Sequence, residues 1–400
     1  ESWICRLVLL WAILSSGPLP AADTAQPANE LKGLILLNSP EAILKENDPG
    51  LALTGLQVRG IELLKGKDFE KALGRLFGRT IDDKLLKEIQ LAVAGFYREK
   101  GFPLVDVIFP PQTVSNGVLQ CVVIESKLGQ ILFEGTNKWT RTEFLRKNIR
   151  LEVGQPIDER KLTSDLNWLN RNKFRSMDVF YKPGGKRSES DLVVRTAERL
   201  PLSGFASLDN TGNRLTGEER FSVGAEWGKA FGLTDHLLSY RFTGDIDLKL
   251  LQAHSASFMM PLPWRHTLTL SGSYADVTGS IPSQHITQSG SSYQLNLRYE
   301  MPLPTLGTYK HQLSLGADFR HLDNSLEFNF VNVFADTTEI AQSVIGYTGL
   351  LPDNFGSTFL GAEYYFSPGG LTDRNTDQLF ATSFPFAEAN YHFAKFNLER

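Results

Sequence analysis

Cysteine is almost missing, with Cys5 and Cys121 the only two in 400 residues. Cys5 falls in the leader described below, so neither an intrachain disulfide nor a cysteine-based metal site is expected. Long apolar runs are missing too. Beyond the leader, no stretch reaches the roughly 18 apolar residues of a spanning helix. That excludes transmembrane helices but not a barrel, whose strands leave only a weak hydropathy trace. A charge excess is also lacking: 41 Lys and Arg stand against 45 Asp and Glu, a net of −4. There is no basic footprint for nucleic acid. Seven histidines are present, but no HExxH, GxSxG or P-loop pattern accompanies them. His254 and Ser255 are adjacent on a strand and so point to opposite faces, which rules them out as a hydrolytic pair. Asp209, Asp235, Asp245 and Asp247 lack the spacing of a calcium loop and read as solvated turns. The expectation is no enzyme, no cofactor and no metal.

The chain opens on Glu1 rather than Met. Residues 5–16 are apolar apart from one Arg and precede small residues at Ala21 and Ala22. Residues 1–22 read as an incomplete secretory signal peptide, which implies export. Residues 23–50, punctuated by Pro27, Pro40 and Pro49, read as a linker with a short helix around Glu41–Lys45.

An ordered pattern follows. Leu56–Leu64 reads as a strand. Phe69, Leu73 and Leu76 recur at helical spacing behind Asp68, a candidate N-cap. Asp82 opens a second helix carrying Leu85, Ile89 and Val93, and Gly101 and Pro103 stop it. Val105–Phe109 and Val118–Glu125 are strands around a turn. The order β-α-α-β-β then repeats, from Leu128–Glu134 through helices near Phe144 and Leu162 to the strands Met177–Tyr181 and Leu192–Thr196. Trp139 and Trp168 fall in this second copy and read as core. The two copies are a domain duplication of α+β units, residues 51–126 and 127–199.

Residues 200–400 show about ten strand candidates of period two. Tyr293, Leu295, Leu297, Tyr299 and Met301 alternate with Gln294, Asn296, Arg298 and Glu300. Such a two-faced strand fits a soluble sandwich or a membrane barrel with a wet lumen. Short turns (Pro261–Pro263, Pro302–Thr308) alternate with long loops (His321–Thr337, Ser367–Phe386), which favours the barrel. Trp227, Trp264, Tyr240, Tyr293 and Tyr299 read as interfacial belts.

Certain phrases carry a resemblance. Phe174-Arg175-Ser176-Met177-Asp178-Val179, Lys182-Pro183-Gly184 and Asp191-Leu192-Val193-Val194 resemble the second polypeptide-transport-associated (POTRA) domain of the haemolysin secretion/activation family. Those are outer-membrane transporters of two-partner secretion. Asp209-Asn210-Thr211-Gly212, with Arg214, Thr216 and Gly217, then Trp227-Gly228 and Gly232-Leu233-Thr234-Asp235, resemble that family's first barrel hairpin. The resemblance covers about 51–400. It implies tandem POTRA domains in the periplasm and an antiparallel transmembrane β-barrel in the outer membrane. It also implies sixteen strands, of which about ten are here, and a lumen loop with a Val-Arg-Gly-Phe/Tyr signature that this sequence lacks. The implied function is capture of a secreted partner protein in extended form, followed by its translocation and, where the partner requires it, activation. The implied surroundings are outer-membrane lipid, with the transporter a monomer.

In a β-α-α-β-β sheet the second strand is expected at an edge, where a guest strand can add through main-chain hydrogen bonds. The candidate partner-binding residues are therefore Val105, Asp106, Val107, Ile108 and Phe109 in the first copy, and Met177, Asp178, Val179, Phe180 and Tyr181 in the second. Pro110, Pro111 and Asp106 argue for a blunted edge instead. A barrel-assembly insertase and a non-transporting surface barrel or receptor stay open as alternatives.

Overall fold

A computed structural model describes residues 30–45, 48–114, 116–135, 138–186, 188–213, 216–281, 286–328, 331–383 and 385–400. The expected leader, and Arg214 of the hairpin motif, lie outside the described residues. The chain forms two compact units. One holds the described residues up to Gly129 together with Glu152–Glu159 and Pro183–Ser190; the other holds Gln130–Leu151, Arg160–Lys182 and Asp191–Arg400.

The first copy contains β1 (Gly33–Leu37), β2 (Gly55–Arg59), α1 (Lys67–Gly74), α2 (Asp83–Lys100), β3 (Val105–Ile108) and β4 (Val118–Glu125). Its sheet runs β2-β1-β4-β3. The expectation of a linker over 23–50 fails here, because β1 is a central strand, parallel to β2 on one side and β4 on the other. The helix expected at Glu41–Lys45 is a single 3-10 turn at Pro40–Ala42. The reason is legible afterwards. Gly-Leu-Ile-Leu-Leu is an unbroken apolar run, and a strand buried on both faces shows no alternation. Leu34 and Leu36 join the helix-side core of Phe69, Leu85 and Ile89. Ile35 and Leu37 pack with Val118, Val122, Ile43 and Leu44 on the other face. All four are at most 1% exposed. Their burial contributes about 6–12 kcal/mol at roughly 1.5–3 kcal/mol per side chain. The Gln120 amide ties the covering segment down, donating to the Leu44 carbonyl at 3.0 Å and accepting from its N–H at 2.8 Å.

The expected strand at Leu56–Leu64 ends at Arg59, and Glu62–Leu64 is a 3-10 turn. Gly66, not Asp68, stands at the N-cap of α1. Asp82 does cap α2, accepting from the Leu85 N–H at 2.7 Å.

The second copy contains β5 (Lys127–Gly135), α3 (Thr142–Asn148), α4 (Glu159–Leu169), β6 (Arg175–Pro183) and β7 (Glu189–Glu198). Its order is β5-β7-β6, with no strand between first and third. Leu145, Leu162, Leu169, Met177 and Val193 form its interior. Trp139 is not core: it is 39% exposed.

The remainder is one antiparallel sheet of ten strands in sequence order. They are β8 (Leu202–Asp209), β9 (Arg220–Trp227), β10 (Leu237–Asp245), β11 (Leu251–Pro261), β12 (Thr267–Ile281), β13 (Ile286–Pro302), β14 (Lys310–Phe328), β15 (Val331–Asp353), β16 (Gly356–Pro368) and β17 (Asn390–Glu399). The loop expected at His321–Thr337 is mostly a continuation of β14 and β15, paired through His321↔Glu339 and Asp323↔Thr337. The connection after β16 is long, as expected, and holds α5 (Asp377–Ser383).

Candidate functional site

The two predicted edge strands are edges: β3 ends the first sheet and β6 the second. Each edge is partly closed from within. The Gln90 amide of α2 donates to the Val107 carbonyl at 2.9 Å. The Asn170 side chain, just past α4, donates to the Met177 carbonyl at 2.9 Å and accepts from its N–H at 2.7 Å. A guest strand would have to compete for those groups. Phe109 falls past the end of β3. Beyond the Pro110-Pro111 pair, the Gln112 side chain takes over pairing to β4. It donates to the Gln120 carbonyl at 2.7 Å and accepts from the Gln120 N–H at 2.8 Å. Asp106 and Asp178 are exposed, whereas Val105, Ile108, Val179, Phe180 and Tyr181 are half-buried. Phe180 lies between Lys182 and Arg195, whose cations sit 5.3 Å and 5.0 Å from its ring centroid.

A second arrangement was not foreseen. The second copy and the turns at one end of the large sheet are joined by buried charge. Arg175, at the start of β6, is 4% exposed. Its guanidinium meets both carboxylate oxygens of Asp235, in the β9–β10 turn, at 3.0 Å and 2.9 Å. It also donates to the Leu169 carbonyl and the Thr140 hydroxyl. Asn172 adds a donor to Asp235 at 2.8 Å. Asp165 of α4, fully buried, faces Arg150 of its own domain and Arg265 of the β11–β12 turn, each at 2.7 Å. Arg171 lies 3.8 Å over the Trp168 ring and donates to Thr267 at 2.6 Å. Burial holds the Arg171 and Arg265 guanidinium groups below their ordinary pKa, while Asp235 and Asp165 pull the other way. Lys173 pairs with Glu226. Gly228 permits the close approach: a Cβ there would stand 2.1 Å from the Phe174 ring. A buried pair of this kind fixes geometry rather than adding net stability. One signal was available in the sequence, since Arg175 and Asp235 both lie in the phrases that carry the resemblance.

The ten-stranded sheet has two chemically distinct faces, fixed by register. Ser239 pairs with Ser257 and Ser257 with Ser271. Those hydroxyls share a face with Arg298, Asp318 and Glu363. A recess of about 340 Å3 on that face is floored by Ser239, Ser257, Ser271 and Asn296. Farther round, Arg298 pairs with Asp318. Gln342 donates to Asp318 at 3.0 Å, and Tyr391 donates to Gln342 at 2.8 Å. The opposite face carries Leu270, Leu295, Leu297, Leu315 and Ile345, each 43–53% exposed. His311 and His321 bracket this face on β14, the first beside Tyr309, the second stacked on Tyr293. Ten residues separate them, roughly 34 Å of strand, or about 26 Å of height at a tilt near 40°. That matches the roughly 25 Å apolar band of a barrel in an outer membrane. Trp227, Trp264, Tyr240, Tyr293 and Tyr299 are all on this face or at its turns. Of the acidic turn residues, Asp245 closes its own turn, accepting from Leu250 and Leu251 N–H groups at 2.9 Å and 2.8 Å. Among the described residues no group of three or more His, Cys, Asp or Glu could hold a metal ion.

Comparison with known proteins agrees with this architecture. The profile of the haemolysin secretion/activation protein ShlB/FhaC/HecB matches residues 188–366. A ShlB-type POTRA profile matches 51–126, and a POTRA profile described as a surface antigen variable number repeat matches 126–199. The outer membrane transporter CdiB of Dickeya dadantii is 24% identical over 236 residues, covering 56% of this chain and 41% of that protein. The heme/hemopexin transporter protein HuxB of Haemophilus influenzae is 21% identical over 380 residues, covering 93% and 65%. The chain thus spans less than two thirds of the length of either relative. The solved structure of CdiB from Escherichia coli superposes with a TM-score of 0.64 at 17% identity, covering 88% of this chain and 61% of that one. The fold is that of POTRA domains followed by an outer-membrane β-barrel wall. Taken with the paired repeats and the two-faced sheet, these matches make the chain similar to the haemolysin secretion/activation proteins over residues 188–366 and to POTRA domains over 51–199, the organisation of an outer-membrane protein with POTRA domains in the periplasm.

Proposed function

We propose that this chain belongs to the membrane transporter of a two-partner secretion system, working as a monomer surrounded by outer-membrane lipid. The POTRA domains, residues 51–126 and 127–199 extended at the front by β1, capture the exported partner protein in extended form. The barrel portion, residues 200–400, passes it outward along the polar face and, where the partner requires it, supports its activation. The observation that carries this reading is the order of the pieces: two α/β repeats, then a sheet whose polar face is rich in Ser, Thr and Gly. Relatives named as outer membrane transporters support it. Capture is proposed at the edges of β3 and β6, on Val105–Ile108 and on Val179–Tyr181, where no strand among the described residues fills the outer side.

The test is export of the partner encoded beside this chain's gene, with the gene deleted and then restored. Loss and recovery of the partner in the medium is the expected result. Unchanged export after deletion contradicts the proposal. Loss of several unrelated outer-membrane barrels in the same deletion would favour an assembly insertase.

A further inference from the structure

The apolar face of the barrel wall is mostly bulky and is interrupted by small residues at Gly204 and Ala225, at Ala317 and Ser343, and beside an aromatic cluster on two central strands. On β11 and β12, Ala256 and Gly272 pair side by side. Their small size leaves a groove of about 430 Å3, walled by Leu238, Phe258, Leu270 and Leu295. A Cβ on Gly272 would come within 3.0 Å of the Leu295 side chain, so any larger residue there narrows the groove. At one end stand Tyr240, His254 and Tyr274. The Tyr240 hydroxyl lies 2.7 Å from His254 Nδ1, and the His254 ring contacts Tyr274 and Phe242. With the Tyr240 O–H donating to Nδ1, the proton of a neutral imidazole stands on Nε2. The cluster then offers an outward N–H beside a Tyr274 hydroxyl. Among the described residues no acidic side chain lines the groove.

The orientation of the wall decides which leaflet this end meets. The second POTRA domain is periplasmic and grips the β9–β10 and β11–β12 turns through Arg175–Asp235 and Asp165–Arg265. Those turns are the periplasmic end. His254 is near the opposite end of β11 and so stands toward the outer leaflet.

We propose that this groove is a binding site for a phosphorylated saccharolipid of the outer leaflet. One acyl chain lies over Ala256 and Gly272, and a head-group phosphate oxygen accepts from His254 Nε2–H and the Tyr274 hydroxyl. The chemistry is complementary at both ends: an apolar trough exposed to hydrocarbon, and hydrogen-bond donors without a competing carboxylate where the anionic head begins. Such donors strengthen where water is scarce. The site is independent of what the lumen transports.

The test is native mass spectrometry of the full chain released from vesicles containing diphosphoryl lipid A, phosphatidylglycerol and a phosphate-free galactolipid. Wild-type protein should retain lipid A in preference to both others. Gly272→Leu, which fills the trough, and His254→Leu, which removes the donor, should each lower retention about tenfold. His254→Gln, which keeps an N–H donor, should recover part of it. Ala362→Leu, on the same face but away from the groove, should change nothing. Folding of each variant is checked by its heat-modifiable migration on gels. Equal retention of galactolipid and lipid A by the wild type overturns the proposal. So does phosphatidylglycerol retained as well as lipid A, or a folded Gly272→Leu that keeps wild-type retention.

Discussion

Arg175 and Asp235 show how much one buried pair can fix. Neither carboxylate oxygen lacks a guanidinium donor, and the same two terminal nitrogens of Arg175 also donate to the Leu169 carbonyl and the Thr140 hydroxyl. Asp235→Ala should cost about 3–5 kcal/mol, because it strands a buried cation. The readout is the temperature at which the folded form is lost on heat-modifiability gels. The Arg175→Met/Asp235→Leu double variant, which removes both charges, should be less affected than the single. Two further residues set an alkaline limit for the first unit. Burial pushes the Cys121 thiol from 9.0 up to about 12. Burial, then the hydrogen bond to Glu125, raises the Tyr97 phenol above its ordinary 10.0. Both groups are raised in the folded state, so the stability they contribute is full below pH 9 and is lost as pH rises beyond it. Unfolding of the periplasmic unit, followed by circular dichroism, should set in above pH 9, and earlier than in a Tyr97→Phe variant. In a Cys5→Ser background the Cys121 thiol should be silent to thiol reagents at pH 8 until denaturant is added. At this scale the sequence was least informative. The Asp82 cap was legible because capping follows local spacing. The Asp165, Arg175 and Arg265 contacts were not, since a charge buried by tertiary packing looks like any surface charge in the sequence.

The elements were read well where their period was clean. The α2 helix, the edge positions of β3 and β6, and the count of about ten strands in the second half follow from alternation or helical spacing, although the segment read as a loop at His321–Thr337 mostly continues β14 and β15. The failure was β1. Its five residues carry no period, because both faces are buried, and nearby prolines made the region look like a linker. The internal comparison shows what β1 does. In the second copy the first and third strands are neighbours, whereas in the first copy β1 stands between them. A fragment of residues 51–126 should therefore fail to fold, while residues 30–126 should fold cooperatively in urea titrations. Leu36→Ala in the longer fragment should cost about 2–5 kcal/mol. The edges give a second prediction. Asn170→Ala removes two hydrogen bonds from the Met177 backbone and should cost about 1–3 kcal/mol. If β6 accepts a guest strand, the same change frees its edge and should raise partner capture in pull-down assays. Unaltered capture with Asn170→Ala would mean the guest does not use that part of β6.

On the scale of the whole molecule, one property organises the second half: a residue shifted by one along a strand changes solvent. Ser257 faces the polar recess and Ala256 the lipid groove, though they are neighbours in sequence. The alternation was visible in the sequence, but the choice between a sandwich interior and a membrane was not. It took the exposure of Leu270, Leu295 and Leu297 beside a polar face just as continuous to decide it. The proposed transport puts the extended partner against the polar side alone. A photo-activated crosslinker placed at Ser257, and in a separate strain at Ala256, tests that most directly during active export. Partner adducts at Ser257 with only lipid adducts at Ala256 are the predicted result. Partner adducts at Ala256, or none at Ser257 while export proceeds normally, would contradict the account.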